Sequence, residues 1–163
     1  MAWVNSDGLH VRFGTEQGTV TTAGEYPTPS AGMHVTEARI TATGLGTASA
    51  IVANTTVIPS GATIHKVEVI AETACTSGGL AALNVGLNRL DRTTAINATG
   101  LVAALALTAI DTLGERNELV KGSTGAGALI GTELTNPGLL VADYDTAAYT
   151  AGEILVKVYW YID

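Results

Sequence analysis

The sequence predicts an all-β protein: an antiparallel β-sandwich of jelly-roll-like arrangement, with one short helical insertion and an extended N-terminal arm. Short runs rich in Val, Ile, Thr and Ala recur along its 163 residues and are separated by Gly, Pro, Asn and Ser, which is the pattern of strands and turns. Several runs alternate apolar with polar residues, the two-residue period of a half-buried strand. The 19 glycines and the charged content of only 14% exclude a helical bundle, whose surface needs many Glu, Lys and Arg.

Residues 1–32 are predicted to form the extended arm, and residues 33–163 the β-sandwich domain. Glycines and prolines recur through the arm without a helical period, and only residues 9–13 alternate like a short strand. Such an arm makes contact with a neighbour through single side chains rather than through a pocket. The candidate interface residues are its aromatic and basic anchors, Trp3, Arg12, Phe13 and Tyr26.

Further strands are expected within the sandwich domain, at residues 33–42, 48–58, 64–73, 81–90, 138–143 and 152–162. The strand at 64–73 places Val67, Val69 and Ala71 on one face and charged residues on the other. A Gly-containing turn at residues 77–79 separates it from the next strand, so we expect these two strands to form a hairpin.

The last strand is expected to lie in the centre of a sheet, because its run is long and contains no proline. One of its faces is predicted to be core, while Lys157 and the residues of the same parity face the other way. The predicted core face consists of Ile154, Val156, Val158, Trp160 and Ile162.

The helical insertion is expected within residues 99–113. The run at residues 101–107 is apolar without alternation and contains good helix formers, and Thr99 precedes it as a possible N-cap. A continuous apolar run of this length is also compatible with a strand buried on both faces, and periodicity alone does not separate the two.

The charge of the chain restricts its partners. Its formal net charge of -7 comes from 15 acidic and 8 basic side chains. Because nucleic acids and anionic membranes are bound by clustered Lys and Arg, we expect neither as a partner. No apolar run reaches the ~18 residues that span a bilayer, and the single Cys75 can form no internal disulfide. We therefore expect a soluble protein made in a cytoplasm.

Residues that commonly carry catalysis are scarce and scattered. His10, His34 and His65 stand apart, without other ligands at metal-binding spacing, and Cys75 has no partner that the sequence positions beside it. The Gly-rich stretch at 122–131 lacks the glycine spacing of a dinucleotide-binding loop and is expected to be a loop between strands. We therefore expect no cofactor, no bound metal and no enzymatic activity.

Several stretches together give the chain a likeness to a known family. They read GLHVRFGTE, GEY, IPSGATIHKVEV, LNVGL and YTAGEILVKVYWY, and they begin at residues 8, 24, 58, 83 and 149. In these turn-and-strand motifs the chain resembles small virion structural proteins of tailed bacteriophages. The resemblance implies a capsid decoration or cement protein on the outer surface of the head. Its partners would be the major capsid protein and neighbouring copies of itself, and no catalytic residue is implied.

Two alternatives remain open at the sequence level. A receptor- or glycan-binding module of a capsid or tail fibre would need an aromatic platform or a Ca²⁺ site, for which Asp143, Asp145 and Glu153 are candidates. A head–tail adaptor would form closed rings instead of covering a surface. The scarcity of long charged side chains favours a protein that buries flat surfaces against neighbours at low entropic cost.

Overall fold

The computed structural model describes residues 2–4, 10–12, 32–53 and 55–162. This part of the chain is all-β, with two single-turn 3-10 segments, Ala42–Gly44 and Leu107–Ala109. Its strands are β1 Ala2–Val4, β2 His10–Arg12, β3 His34–Thr41, β4 Ala50–Ile51, β5 Ala62–Ser77, β6 Ala82–Asn88, β7 Ala95–Ala106, β8 Arg116–Leu119, β9 Leu139–Asp145 and β10 Tyr149–Ile162.

Strands β3 to β10 form two antiparallel four-stranded sheets, which confirms the predicted β-sandwich. The first sheet has the order β3-β10-β5-β8 and the second β4-β9-β6-β7. Strand β10 lies between β3 and β5, in the centre of its sheet, as expected from its length. Buried apolar side chains from both sheets form one core cluster, to which nearly every strand of the sandwich contributes.

The predicted core faces of β5 and β10 are largely confirmed. Val67, Val69 and Ala71 of β5 are fully buried. On β10, Ile154, Val156 and Val158 are fully buried too, while Trp160 and Ile162 are half-buried and pack against the cluster.

The predicted helical insertion is wrong, and its apolar run is a strand. Residues 95–106 form β7, and only the 3-10 turn Leu107–Ala109 follows. Leu101 and Val102 are consecutive and both fully buried, so the strand is covered on both faces there and shows no alternation, whereas Ala104 and Ala106 are exposed. The buried-strand alternative therefore holds.

The predicted hairpin is also wrong, because β5 and β6 lie in different sheets. Strand β5 pairs with β10 and β8, and β6 pairs with β9 and β7. Between residues 77 and 82 the chain crosses from one sheet to the other. Of the strand expected at 48–58, only β4 and an isolated bridge at Ile58 are present, while β8 lies in a stretch for which no strand was predicted.

Within the predicted arm, the structure describes one antiparallel pair of short strands. Strand β2 falls within the strand expected at 9–13 and pairs with β1, with Trp3 opposite Val11. The division of the chain into an arm and a sandwich domain stays a prediction.

The segment between β8 and β9 seals one side of the sandwich. Its Gly127 N–H donates to Leu101 O of β7, and its Gly131 N–H donates to Ile64 O of β5. Gly127 lies so close to the backbone of Gly100 that a β-carbon would not fit. The Gly-rich stretch is thus a loop between strands, as expected, and it joins β7, an edge strand of the second sheet, to the part of β5 that β8 does not reach.

Candidate interaction surface

The outer face of the first sheet carries a network of paired charges, which we call the ladder face. All five salt bridges found among the described residues lie on it. Because the alternate residues of each strand point into the core, these side chains point outward together. The paired residues are Glu37, Arg39, Lys66, Glu68, Glu72, Arg116, Glu118 and Lys157.

Glu68 occupies the centre of the ladder face and is only 1% exposed. Its carboxylate accepts hydrogen bonds from Arg116 Nη2 at 2.6 Å, from Lys66 Nζ at 3.0 Å and from the Tyr159 hydroxyl at 2.9 Å. Burial favours the neutral acid, but these three donors outweigh it and hold the pKa of Glu68 at about 2. Lys66 also bonds Glu118 at 2.6 Å and lies 4.7 Å from the centre of the Tyr159 ring.

Two further pairs extend the ladder face to the β3 edge. Arg39 binds the Glu72 carboxylate through Nε at 2.9 Å and Nη2 at 3.1 Å, and Lys157 Nζ lies 2.7 Å from Glu37 Oε1. The salt bridges join four acidic with four basic side chains, so the charge of -7 comes from side chains outside these pairs. A partner covering this face would meet charges that are already compensated, which lowers the cost of desolvating them.

A second polar cluster lies on the other sheet, around Asn84. Its amide nitrogen donates to Asp143 Oδ1 and to Asp145 Oδ2, both at 2.8 Å, and its Oδ1 accepts the Ala104 N–H at 2.8 Å. Ser49 also donates to Asp143. Asn84 and Asp143 are 3% and 7% exposed. The amide therefore fastens β6 to both of its neighbours, β9 and β7.

The candidate Ca²⁺ ligands do not come together. Asp143 and Asp145 are neighbours on β9, but the Asn84 amide group lies between their carboxylates, and Glu153 lies on β10 in the other sheet. Within residues 2–4, 10–12, 32–53 and 55–162, no three His, Cys, Asp or Glu side chains are grouped for a metal.

The candidate interface residues are only partly covered by the structure. Trp3 lies on β1, and Arg12 lies on β2 opposite Ala2, so the two belong to one strand pair. Phe13 and Tyr26 lie outside the described residues. Sequence reasoning did not identify the buried position of Glu68. The alternation of charged residues in 64–73 indicates the ladder face. The strand pairing that brings Arg116 and Tyr159 beside Glu68 cannot be predicted from the local sequence.

Two of the histidines pack against aromatic rings, and the single cysteine is buried. His34 stacks on Trp160 with ring centres 4.4 Å apart, and His65 meets the Tyr161 ring edge-on at 6.5 Å. Burial raises the pKa of the Cys75 thiol to about 11, so it is protonated at neutral pH and a poor nucleophile. No helix among the described residues is long and apolar enough to cross a membrane.

Comparison with solved structures reveals shared folds in phage capsids. A chain of the cyanophage Pam1 capsid asymmetric unit matches with a TM-score of 0.52 and 22% identity, covering 90% of this chain and 95% of that one. A chain of the Ralstonia phage GP4 capsid matches with a TM-score of 0.55 and 16% identity, covering 85% and 90%. In the acidic stable capsid structure of Helicobacter pylori bacteriophage KHP30, a chain matches with a TM-score of 0.53 and 15% identity, covering 82% and 90%.

These matches are to whole chains of similar length, because each alignment covers nearly all of the neighbour and most of this chain. No family model and no curated protein matches the sequence. The likeness to phage virion structural proteins seen in the sequence is thus confirmed at the level of the fold.

Proposed function

We propose that this chain is a phage virion structural protein that binds the outside of the capsid and reinforces the shell, as a decoration or cement protein. The observation that carries the proposal is the match of 82% to 90% of this chain to chains of three phage capsids, with 90% or more of each of those chains covered. We take the chain to be non-enzymatic, with the major capsid protein and neighbouring copies as its partners and with no nucleic acid bound.

Physical properties of the chain support this role. A protein that binds only the assembled lattice stabilises it by mass action, and many modest contacts add up through the symmetry of the shell. The sealed side of the sandwich and the compensated charges of the ladder face suit burial against a neighbour. A net charge of -7 favours the outer surface, because packaged nucleic acid repels an acidic protein.

The strand order supports the jelly-roll-like arrangement expected from the sequence. The first and last strands of the sandwich, β3 and β10, are neighbours, and so are the second and the second-to-last, β4 and β9. This nested pairing is the order that two Greek keys produce. It brings the start of β3 beside the end of β10, so the predicted arm leaves the sandwich at the edge where His34 stacks on Trp160.

Binding to capsids that lack this protein tests the proposal. We expect the full chain to co-sediment with such capsids and to appear by electron microscopy as regular density on the outside of the head. A chain without residues 1–32, and a full-length chain with Trp3, Arg12, Phe13 and Tyr26 all replaced by Ala, should stay in the supernatant.

Circular dichroism must show that both variants are folded, and an unrelated acidic protein of similar size controls for trapping. If both variants still bind, the contact lies on the sandwich and not on the arm. If the full chain fails to bind, or if its density appears only on the tail, the decoration role is wrong.

A further inference from the structure

Strand β3 is the long open edge of the described sandwich. The other edges are short or covered: β8 has four residues, β4 has two, and the segment between β8 and β9 hydrogen-bonds to β7. Strand β3 has eight residues and pairs with β10 on one side. No backbone hydrogen bond among the described residues reaches its other side. Proteins usually shorten, cover or bulge such an edge, because it is ready to pair with another strand.

Two side chains of opposite charge on this edge, Glu37 and Arg39, can each form a further hydrogen bond. The side chains of Glu37 and Arg39 are 53% and 72% exposed. Glu37 meets Lys157 through Oε1, and Arg39 meets Glu72 through Nε and Nη2. Among the described residues, Glu37 Oε2 and Arg39 Nη1 have no partner, so each group can accept or donate one more bond to a neighbour of opposite charge.

We propose that β3 pairs antiparallel with β3 of a second copy of this chain, in the two-fold register centred on Ala38. In that register each Glu37 lies directly opposite Arg39 of the other copy, on the ladder face. On the core side, Thr36 lies opposite Ile40 of the other copy. Charge complementarity of the edge with itself therefore selects a second copy as the occupant.

Neighbouring registers are unfavourable. A shift by one residue would turn the core side of one strand to the outer face of the other. The nearest registers that keep the faces aligned are centred on Glu37 or on Arg39, and each sets two like charges directly opposite one another. Pairing centred on Ala38 joins the first sheet of one copy to the first sheet of the other as one continuous sheet. The paired charges of the ladder face then continue across the contact, from Lys157 and Glu37 of one copy to Arg39 and Glu72 of the other.

Charge reversal in the full chain tests the pairing without any capsid, so its outcome is independent of the proposed function. We expect a dimer by sedimentation velocity. Glu37→Arg or Arg39→Glu alone places like charges opposite each other and should weaken the dimer by ~100-fold. The double variant Glu37→Arg with Arg39→Glu should dimerise again, because opposite charges then face each other once more. Because both pairs within the chain, to Lys157 and Glu72, stay broken in the double variant, recovery reports only on the contact between copies.

Disulfide trapping tests the register. With β3 centred on Ala38, Val35 lies opposite Thr41 of the other copy, within the Cα separation that a disulfide needs. The variant Val35→Cys with Thr41→Cys should therefore form a covalent dimer on oxidation. Each single variant should not, because the two equal positions lie about 20 Å apart along the strands. The native Cys75 is buried and should not interfere.

Four results would overturn the proposal. A full chain that is monomeric at all concentrations would mean that the edge is open or is occupied by the chain itself. A dimer that neither single reversal weakens would place the contact elsewhere. A double variant that stays monomeric, or a double-cysteine variant that does not crosslink, would reject the register.

Discussion

At the scale of single residues, Glu68 shows how an acidic side chain can be buried on the outer face of a sheet. Arg116 and Lys66 cover its carboxylate while their own charged groups reach solvent, and the Tyr159 hydroxyl supplies a third donor. Such a group stabilises the fold only while it is ionised and its partners are present. It therefore makes the stability of this protein dependent on pH.

Protonation of Glu68 should weaken the fold in acid. Its pKa is about 2 in the folded chain and near 4.5 when unfolded, so the unfolded state binds the proton more readily between these values. The stabilisation is complete above about pH 4.5 and is lost as the pH falls towards 2, with a total of roughly 3 kcal/mol. Urea unfolding at a series of pH values measures this loss.

Glu68→Gln should be about 2 kcal/mol less stable than the native chain at pH 7, because Arg116 and Lys66 lose their shared carboxylate. Its stability should also fall less between pH 4.5 and 2. Glu118→Gln is the matched control, since Glu118 binds the same Lys66 but is exposed, and we expect a change below ~0.5 kcal/mol. Equal acid sensitivity of native and Glu68→Gln proteins would contradict this account.

Gly127 is a second position where one residue determines the packing. A β-carbon there would overlap the backbone of Gly100 and Leu101, which no rotation of a side chain can relieve. Gly127→Ala should therefore cost about 3 kcal/mol or more of unfolding free energy. Gly78→Ala, where nothing lies near the added carbon, should be almost neutral. Similar thermal midpoints for the two variants would show that the β8–β9 segment is free to shift.

At the scale of elements, Asn84 ties three strands together. Asn84→Ala removes the amide between Asp143 and Asp145 and leaves the Ala104 N–H without its acceptor. We expect a loss of about 2 kcal/mol, measured by urea unfolding, since the buried Asp143 carboxylate and the Asp145 carboxylate lose their shared donor and a part-buried backbone hydrogen bond is broken. Asn136→Ala is the control and should change stability little, because the side chain of this half-buried loop residue donates only to Thr135 among the hydrogen bonds of the described residues.

The elements also show what the sequence can and cannot predict. Strands β5 and β10 have one face in the core and one outside, so their alternation was readable from sequence. Strand β7 was mistaken for a helix because the β8–β9 segment covers it, which removes the alternation around Leu101. The ladder face was missed because Glu68 and Arg116 are joined by strand pairing across 48 residues.

The same limit explains the false hairpin between β5 and β6. Alternation tells which residues face the core, but it does not tell which sheet a strand joins. Each of these strands buries its apolar face between the sheets. That requirement is met whether β5 and β6 pair in one sheet or lie in different sheets. The choice is made by pairing with β10 and β9, which lie far along the chain.

At the scale of the whole molecule, the sandwich depends on contacts between the ends of residues 33–163. Strand β10 is the last of the described strands in chain order, yet it lies in the centre of its sheet and pairs with both β3 and β5. Each side of the core therefore needs strands from both ends of this range. Loss of either end of this range removes a strand of the first sheet and exposes part of the core, so we expect the sandwich to fold as one cooperative unit.

Two truncations test this prediction. Among the residues whose burial the structure describes, every member of the core cluster lies between residues 38 and 162, so we expect a chain of residues 33–163 to keep a single cooperative unfolding transition. A chain that ends at residue 148 loses β10, which leaves β3 without its partner and exposes one side of β5. We expect it to show no cooperative transition by circular dichroism or calorimetry. If residues 33–163 failed to fold, the first 32 residues would be part of the domain, and the proposed boundary between arm and sandwich would be wrong.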